Sequence, residues 1–175
     1  HIPKSLFIGL EGNFAPWVGS VIGDIKTPIL LVTDKNKEKE TIKRLARVGF
    51  DNILGYLYDG IEGWVKNGRK IDSIKNVSAD EILTKPLEII DVRTSAEYLK
   101  KHVKSSINFP LNNYKINKLK TLFNNPFYVH CQSGYRSLIY LSILKKSGIH
   151  NGLNVKGGFK SCLLYTSDAA DDMFR

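Results

Sequence analysis

Short runs of apolar and β-branched residues alternate with helical patterns across the second half of the chain, and this alternation limits the folds open to it. Runs typical of strands lie at 87–91 ("LEIID"), 106–109 ("SINF"), 127–130 ("FYVH") and 153–155 ("LNV"). Helical patterns lie between them, at 94–102, 114–123 and 135–147. Such alternation predicts an α/β fold, with a parallel central sheet that is covered by helices on both faces.

Several helix ends can also be predicted. "SADE" (78–81) and "TSAE" (94–97) both have the pattern of a capping box at a helix start. Lys145 and Lys146 fall in the last turn of the helix predicted at 135–147, and Gly148 follows them as a C-cap.

The first part of the chain repeats this pattern. Residues 29–52 ("ILLVTDKNKEKETIKRLARVGFDN") resemble residues 127–151 ("FYVHCQSGYRSLIYLSILKKSGIHN"). We therefore predict a tandem repeat whose first copy is truncated at its N-terminus. The expected domains are 1–65, a polar linker at 66–76, and 77–161.

Composition narrows the classes of function. Hydrophobic residues make up 42% of the chain, and no apolar stretch is long enough to span a bilayer, so we expect no membrane partner. The net charge of +9 comes from scattered lysines, and we therefore expect no nucleic-acid partner. Two cysteines do not make a disulfide framework, which favours a reducing, cytoplasmic setting. The four histidines are scattered, so we expect no metal site and no cofactor.

The stretch "HCQSGYRS" (130–137) is the strongest candidate for chemistry. Cys131 follows a predicted strand and precedes a predicted helix, a place where backbone N–H groups and the helix dipole favour a negative charge. Gly134 allows a tight turn, and Arg136 adds a forked cationic donor that suits an anionic substrate. Surroundings of this kind favour a thiolate over a thiol.

Residues 91–111 ("DVRTSAEYLKKHVKSSINFPL"), followed by "HCQSGYRS", resemble a rhodanese domain. The resemblance implies that Cys131 is the catalytic residue, which carries a sulfane sulfur as a persulfide. It implies a substrate-binding cradle, formed by Gln132, Ser133, Gly134, Tyr135 and Arg136. It also implies supporting positions at Asp91, Arg93 and His102. The sequence departs from the family at Lys101, where the family usually has a glycine.

The resemblance further implies a sulfurtransferase whose partners are a small anionic donor, thiosulfate or a persulfide, and a thiol acceptor. Residues 12–19, 43–49 and 52–64 are similar to the double-rhodanese part of metallo-β-lactamase–rhodanese fusion proteins, which resemble persulfide dioxygenases. We therefore expect a metallo-β-lactamase domain upstream in the full-length protein.

Two alternatives remain open. One is a cysteine phosphatase or arsenate reductase of the related fold. The loops of those families have a Cys, five further residues and then an Arg, whereas only four residues separate Cys131 from Arg136. The other is a module that docks partners or senses oxidation without transferring sulfur. In the first copy Asp34 aligns with Cys131, so we expect that copy to be inactive.

The tail at 162–175 does not continue the family pattern. Its residues 162–172 ("CLLYTSDAADD") resemble the translation of a sequencing-library adapter. We expect this tail to be artefactual, not to pack as a closing helix, and to give Cys162 no chemical role.

Overall fold

The computed structural model describes residues 1–85, 87–113 and 125–164, apart from the side chains of residues 83 and 164. The chain forms two compact units, one of His1–Pro3 with Ile8–Asp72 and the other of Lys4–Phe7 with Ser73–Arg175. The division after Asp72 falls inside the predicted linker, whereas the placement of Lys4–Phe7 with the second unit was not predicted. The helix predicted at 114–123 lies outside the described residues.

The first unit contains a two-stranded parallel sheet and three helices. Its elements are α1 (Phe14–Ile22), β1 (Ile29–Leu31), α2 (Glu38–Ala46), β2 (Ile53–Tyr56) and α3 (Gly60–Lys66). Strands β1 and β2 pair in parallel, with Ile29 opposite Ile53. The core of this unit consists of Phe14, Val18, Leu31, Leu45 and Phe50.

The second unit is built on a five-stranded sheet. Its strands are β3 (Asn76–Val77), β4 (Glu88–Asp91), β5 (Ile107–Asn108), β6 (Phe127–His130) and β7 (Gly152–Val155). Its described helices are α4 (Ala79–Thr84), α5 (Ser95–Lys100), α6 (Tyr135–Lys146) and α7 (Gly158–Leu164), with a 3₁₀ turn at Leu111–Asn113. No helix in the described ranges is both long and apolar enough to cross a bilayer.

The strand order in this sheet is β3-β7-β6-β4-β5, and every neighbouring pair is parallel. The predicted α/β fold with a parallel sheet is therefore confirmed. All four residues of the central strand β6 are buried, as its unbroken apolar run leads one to expect. Because β6 is the middle strand of the sheet, the chain that follows it starts at the middle of the sheet edge.

One of the two predicted capping boxes is present. The Thr94 hydroxyl accepts a hydrogen bond from the Glu97 N–H, and the Glu97 carboxylate accepts one from the Thr94 N–H, so both halves of the box form at α5. The box predicted at Ser78 is wrong. Its hydroxyl makes no cap bond to α4 and lies 3.2 Å from an Asp80 carboxylate oxygen instead.

Helix α7 corrects the prediction that the tail from residue 162 does not pack. The helix continues to Leu164, and Cys162 lies in the core of the second unit with Phe159. Leu163 packs against the same core. Residues three apart share one face of a helix, so Cys162 follows Phe159 into the core. The rest of the tail, 165–175, lies outside the described residues, and its artefactual origin stays a prediction.

Candidate active site

Cys131 lies at the carboxyl end of β6, with β4 and β7 on either side of that strand. Its side chain is free and only 1% exposed. The chain turns into α6 through Gly134, whose φ of +104° lies in a region that side chains rarely adopt. In parallel α/β sheets, this edge is where ligands usually bind.

A backbone donor points at the thiol. The Gly134 N–H donates to Cys131 Sγ over 3.2 Å. The N–H groups in the first turn of a helix have no partner within the helix, and the helix dipole adds positive potential there. Since α6 is a twelve-residue helix that begins at Tyr135, a sulfur anion on Cys131 would be stabilised at this position.

A second helix start holds the loop from another side. The Phe159 N–H donates to the Cys131 carbonyl oxygen over 2.7 Å, and the Lys160 N–H donates to the Gln132 carbonyl oxygen over 3.2 Å. Gly158 permits this close approach, because a Cβ there would collide with the Cys131 carbonyl oxygen. Gly158 was not predicted as a site residue, although a Gly-Gly pair one residue after a predicted strand was a usable signal.

A buried polar chain also reaches the thiol. The Ser137 hydroxyl lies 3.7 Å from Cys131 Sγ and 2.7 Å from Asn154 Oδ1. The Asn154 side-chain N–H in turn donates to Asn76 Oδ1 over 2.7 Å. Ser137 and Asn154 are both almost fully buried. None of the three was predicted, because they come from α6, β7 and β3 and meet only in the folded sheet.

The other predicted loop residues lie between Cys131 and α6 or at the start of that helix. Gln132 and Tyr135 are half-buried, and Ser133 is exposed. The Tyr135 ring lies edge-on to Phe7, with 6.3 Å between the ring centroids, and burial raises the pKa of its hydroxyl. Their contacts with a substrate remain predictions.

Arg136 has a partner that the sequence did not predict. Its Nη1 donates to Glu97 Oε2 over 2.7 Å and its Nη2 donates to Glu97 Oε1 over 2.8 Å. This bidentate contact, with hydrogen bonds from Thr94, lowers the pKa of Glu97 to about 2 despite partial burial. An anionic substrate would therefore have to share the Arg136 guanidinium with Glu97, or displace it.

A family model for the Rhodanese-like domain matches residues 75–163. The chain belongs to the rhodanese-like family. The match begins beside β3, includes the whole Cys131 loop, and ends within α7. It lies within the second unit, which we call the rhodanese-like domain below.

Two curated relatives match part of the chain. The chain is 36% identical over 73 residues to "Uncharacterized protein YqhL" of Bacillus subtilis, a stretch that covers 42% of this chain and 58% of YqhL. It is 31% identical over 86 residues to "Putative sulfur carrier protein YrkF" of the same organism, which covers 49% of this chain and 44% of YrkF. The chain thus spans about half the length of the curated relatives it matches.

Solved structures give similar matches. A rhodanese-like domain protein from Staphylococcus aureus is 26% identical, with a TM-score of 0.45 and coverage of 51% of this chain and 91% of that one. A thiosulfate sulfurtransferase from Pseudomonas aeruginosa is 18% identical, with a TM-score of 0.47 and coverage of 96% and 37%. The family assignment rests on the family model and not on these two likenesses.

Asp91 and Arg93 form a buried ion pair in the rhodanese-like domain. Arg93 Nε and Nη2 both donate to Asp91 Oδ2, over 2.9 and 2.6 Å, and the Asp91 side chain is fully buried. The Arg93 guanidinium also lies 3.8 Å from the centre of the Phe159 ring in α7. Removal of one partner of such a pair is strongly destabilising, which fits a supporting role.

His102 contacts the end of α5. Its Nδ1 lies 2.9 Å from the Tyr98 carbonyl oxygen, and its ring stacks on the Tyr98 ring. Lys101, where the family usually has glycine, is in extended backbone with φ −167°. Because any residue adopts that conformation, the lysine is accommodated, and its carbonyl oxygen accepts a hydrogen bond from Arg93.

His130 and Cys162 are buried beside the site. Among the residues that the structure describes, neither ring nitrogen of His130 has a hydrogen-bond partner, and burial lowers the pKa of His130 despite an Asp91 carboxylate oxygen 3.8 Å away. The ring is therefore neutral, as Asp91 is already paired with Arg93. Burial raises the pKa of Cys162 to about 11, so its thiol stays protonated at neutral pH. No group of three or more potential metal ligands lies together within the described ranges.

Proposed function

We propose that the chain is a sulfurtransferase-type rhodanese, in which Cys131 carries sulfane sulfur as a persulfide. The observation that carries this proposal is the Gly134 N–H, which donates to Cys131 Sγ at the start of α6. A persulfide anion at that place needs donors and no general base, and the loop supplies backbone donors. The name of one relative, "Putative sulfur carrier protein YrkF", supports the same type of chemistry.

The reaction is a double displacement. The Cys131 thiolate attacks the outer sulfur of thiosulfate or of a persulfide donor, the donor's S–S bond breaks, and sulfite or a thiolate leaves with the electron pair. An acceptor thiolate or cyanide then attacks the terminal sulfur of the persulfide. The Cys131 thiolate is the second leaving group, so the enzyme returns to its starting state.

The length of the loop favours sulfur transfer over phosphate chemistry. Only four residues separate Cys131 from Arg136, and a loop this short suits the single terminal sulfur of a persulfide better than a phosphate group that it would have to encircle.

We also propose that the first unit is a degenerate copy of the same strand–helix–strand arrangement, β1–α2–β2 against β6–α6–β7. Asp34 stands where Cys131 stands, and a carboxylate cannot carry sulfane sulfur. Further, we propose a cytoplasmic location, because the two cysteines form no disulfide framework, and an upstream metallo-β-lactamase domain, from the resemblance to fusion proteins. The nucleotide sequence upstream of the first codon tests the latter.

The main test is mass spectrometry of the protein after incubation with thiosulfate. We expect the peptide that contains Cys131 to gain the mass of one sulfur atom, and cyanide to remove it. The control is Cys131→Ser, which removes the nucleophile with almost no change in volume and should neither gain sulfur nor transfer it. Sulfur transfer by that variant, or no sulfur on the wild-type peptide, would overturn the proposal.

A further inference from the structure

The Ser137 hydroxyl lies in the first turn of α6, close to more hydrogen-bond acceptors than its single proton can bond to. Its Oγ is 2.7 Å from Asn154 Oδ1, 2.9 Å from the Gly134 carbonyl oxygen and 3.7 Å from Cys131 Sγ. The residue is fully buried. A hydroxyl has one proton to donate, so these three acceptors compete for it.

The acceptor on Asn154 is held in place from its other side. Asn154 Nδ2 donates to Asn76 Oδ1 over 2.7 Å, and the two asparagines are partners in the register of β3 and β7. This bond turns Oδ1 of Asn154 towards Ser137. With a neutral thiol on Cys131, the closest acceptor of the Ser137 proton is therefore an amide oxygen.

An anionic sulfur changes the competition. Hydrogen bonds to a charged acceptor are roughly twice as strong as those between neutral groups, and more so where water is excluded. Rotation about one bond of Ser137 turns its proton from Asn154 to Cys131 Sγ. No residue has to move and no proton has to leave the hydroxyl.

We propose that Ser137 and Asn154 form a switchable donor, which bonds to Asn154 while Cys131 is a thiol and to the sulfur when it is an anion. Ser137 stabilises the thiolate or persulfide directly. Asn154 is a positioning residue that acts through Ser137, and Asn76 fixes the orientation of Asn154. The inference rests on the proposed function, because it assumes that Cys131 works as a sulfur anion.

The test is a pH titration of the thiolate by its ultraviolet absorbance. Subtracting the Cys131→Ser spectrum removes the signals of the tyrosines and of Cys162. We expect Ser137→Ala to raise the midpoint of this titration by about one pH unit, which is the loss of about 1.4 kcal/mol of anion stabilisation. The matched control is Ser142→Ala, at another buried serine of α6, whose hydroxyl donates to Ile139 O. It should leave the midpoint unchanged.

Substitution of Asn154 should shift the titration midpoint in the opposite direction. Asn154→Leu removes the closest competing acceptor and leaves only the Gly134 carbonyl oxygen to compete with the sulfur for the Ser137 proton, so the midpoint should fall. In a Ser137→Ala background the same substitution should have no effect. If Asn154→Leu does not fold, the exposed Asn76→Ala, which releases the Asn154 amide, should lower the midpoint in the same direction.

The inference is overturned by an unchanged midpoint in Ser137→Ala, or by an Asn154→Leu or Asn76→Ala shift that persists without the Ser137 hydroxyl. A loss of folding in Ser137→Ala would be visible by circular dichroism, and the Asn76→Ala titration would then decide alone. No sulfur donor enters this titration. Failure of the wild type to take sulfur from thiosulfate would thus remove the proposed function while the titration still reports on Ser137.

Discussion

Arg136 and Glu97 face each other with two parallel hydrogen bonds of 2.7 and 2.8 Å, although they lie 39 positions apart in the chain. The pair joins the first turn of α6 to α5, beside the Cys131 loop. Glu97 is also the second half of the capping box of α5, so one carboxylate serves both the helix start and the guanidinium. The positive charge of Arg136, which the sequence suggested as a binding group for an anionic donor, is therefore neutralised by Glu97 in the folded domain.

This balance predicts opposite effects of two substitutions on the KM for thiosulfate. Glu97→Gln removes the competing negative charge and should lower the KM by about threefold. Arg136→Ala removes the cation and should raise the KM by about fivefold, equivalent to about 1 kcal/mol. Steady-state transfer of sulfur to cyanide measures both. Equal KM values in all three proteins would show that Arg136 acts only on structure.

The same pair should make stability depend on pH. Because the pKa of Glu97 in the folded state, about 2, lies below its ordinary value of 4.5, the pair stabilises the fold above about pH 4.5 and is lost as the pH falls towards 2. Urea unfolding of the wild type and of Glu97→Gln should show a gap at about pH 7 that narrows at about pH 3. A gap of the same size at both pH values would contradict this.

His130 should make the stability of the fold depend on pH in a higher pH range than Glu97 does. Burial lowers its pKa, so the unfolded chain binds a proton that the folded domain does not, and stability is lost as the pH falls below the ordinary histidine value. Between about pH 7.5 and about pH 5.5 the wild type should lose about 1 kcal/mol more unfolding free energy than His130→Phe. The other histidines are common to both proteins and cancel. Parallel pH profiles would mean that folding does not change proton binding by His130, which would contradict this prediction.

Gly158 should be intolerant of a side chain. Gly158→Ala places a Cβ against the Cys131 carbonyl oxygen and the Ser133 N, so we expect a loss of about 3 kcal/mol of stability and of most sulfur transfer. Gly148→Ala is the matched control. That glycine also has a positive φ, +88°, but a Cβ there meets nothing within 4 Å, so only about 1 kcal/mol should be lost. Thermal unfolding and the cyanide assay, applied to both variants, would separate the effect of backbone strain, which the two variants share, from the effect of the steric collision, which only Gly158→Ala has.

The first unit should not gain activity from a thiol alone. We expect Asp34→Cys, combined with Cys131→Ser, to transfer no sulfur from thiosulfate. The helix after Asp34 begins with Glu38 and Glu40 in its first turn, and these carboxylates oppose an anion at the helix start. Measurable transfer by the double variant would mean that the loop of the first unit is a working cradle.

The sequence alone determined the local features of this protein. Strands β4 and β6, the start of α6 after Gly134, and the capping box of Thr94 depend on residues within a few positions of one another, and each was predicted. Cys131 could be singled out for the same reason, because a thiol between a buried strand and a helix start is visible in eight consecutive residues. Its neighbours in the loop were found with it.

Only the tertiary structure decided which distant residues meet. Arg136 bonds to Glu97, Ser137 to Asn154, and Gly158 lies against Cys131, and these contacts exist because the strand order sets β7 and β4 on either side of β6. The same order buries Cys162, which sequence reasoning had assigned to an unpacked tail. Hydrogen bonds and collisions act over a few ångströms of space, whereas sequence patterns report on a few positions of chain, so contacts between separate elements stay hidden until the sheet has formed.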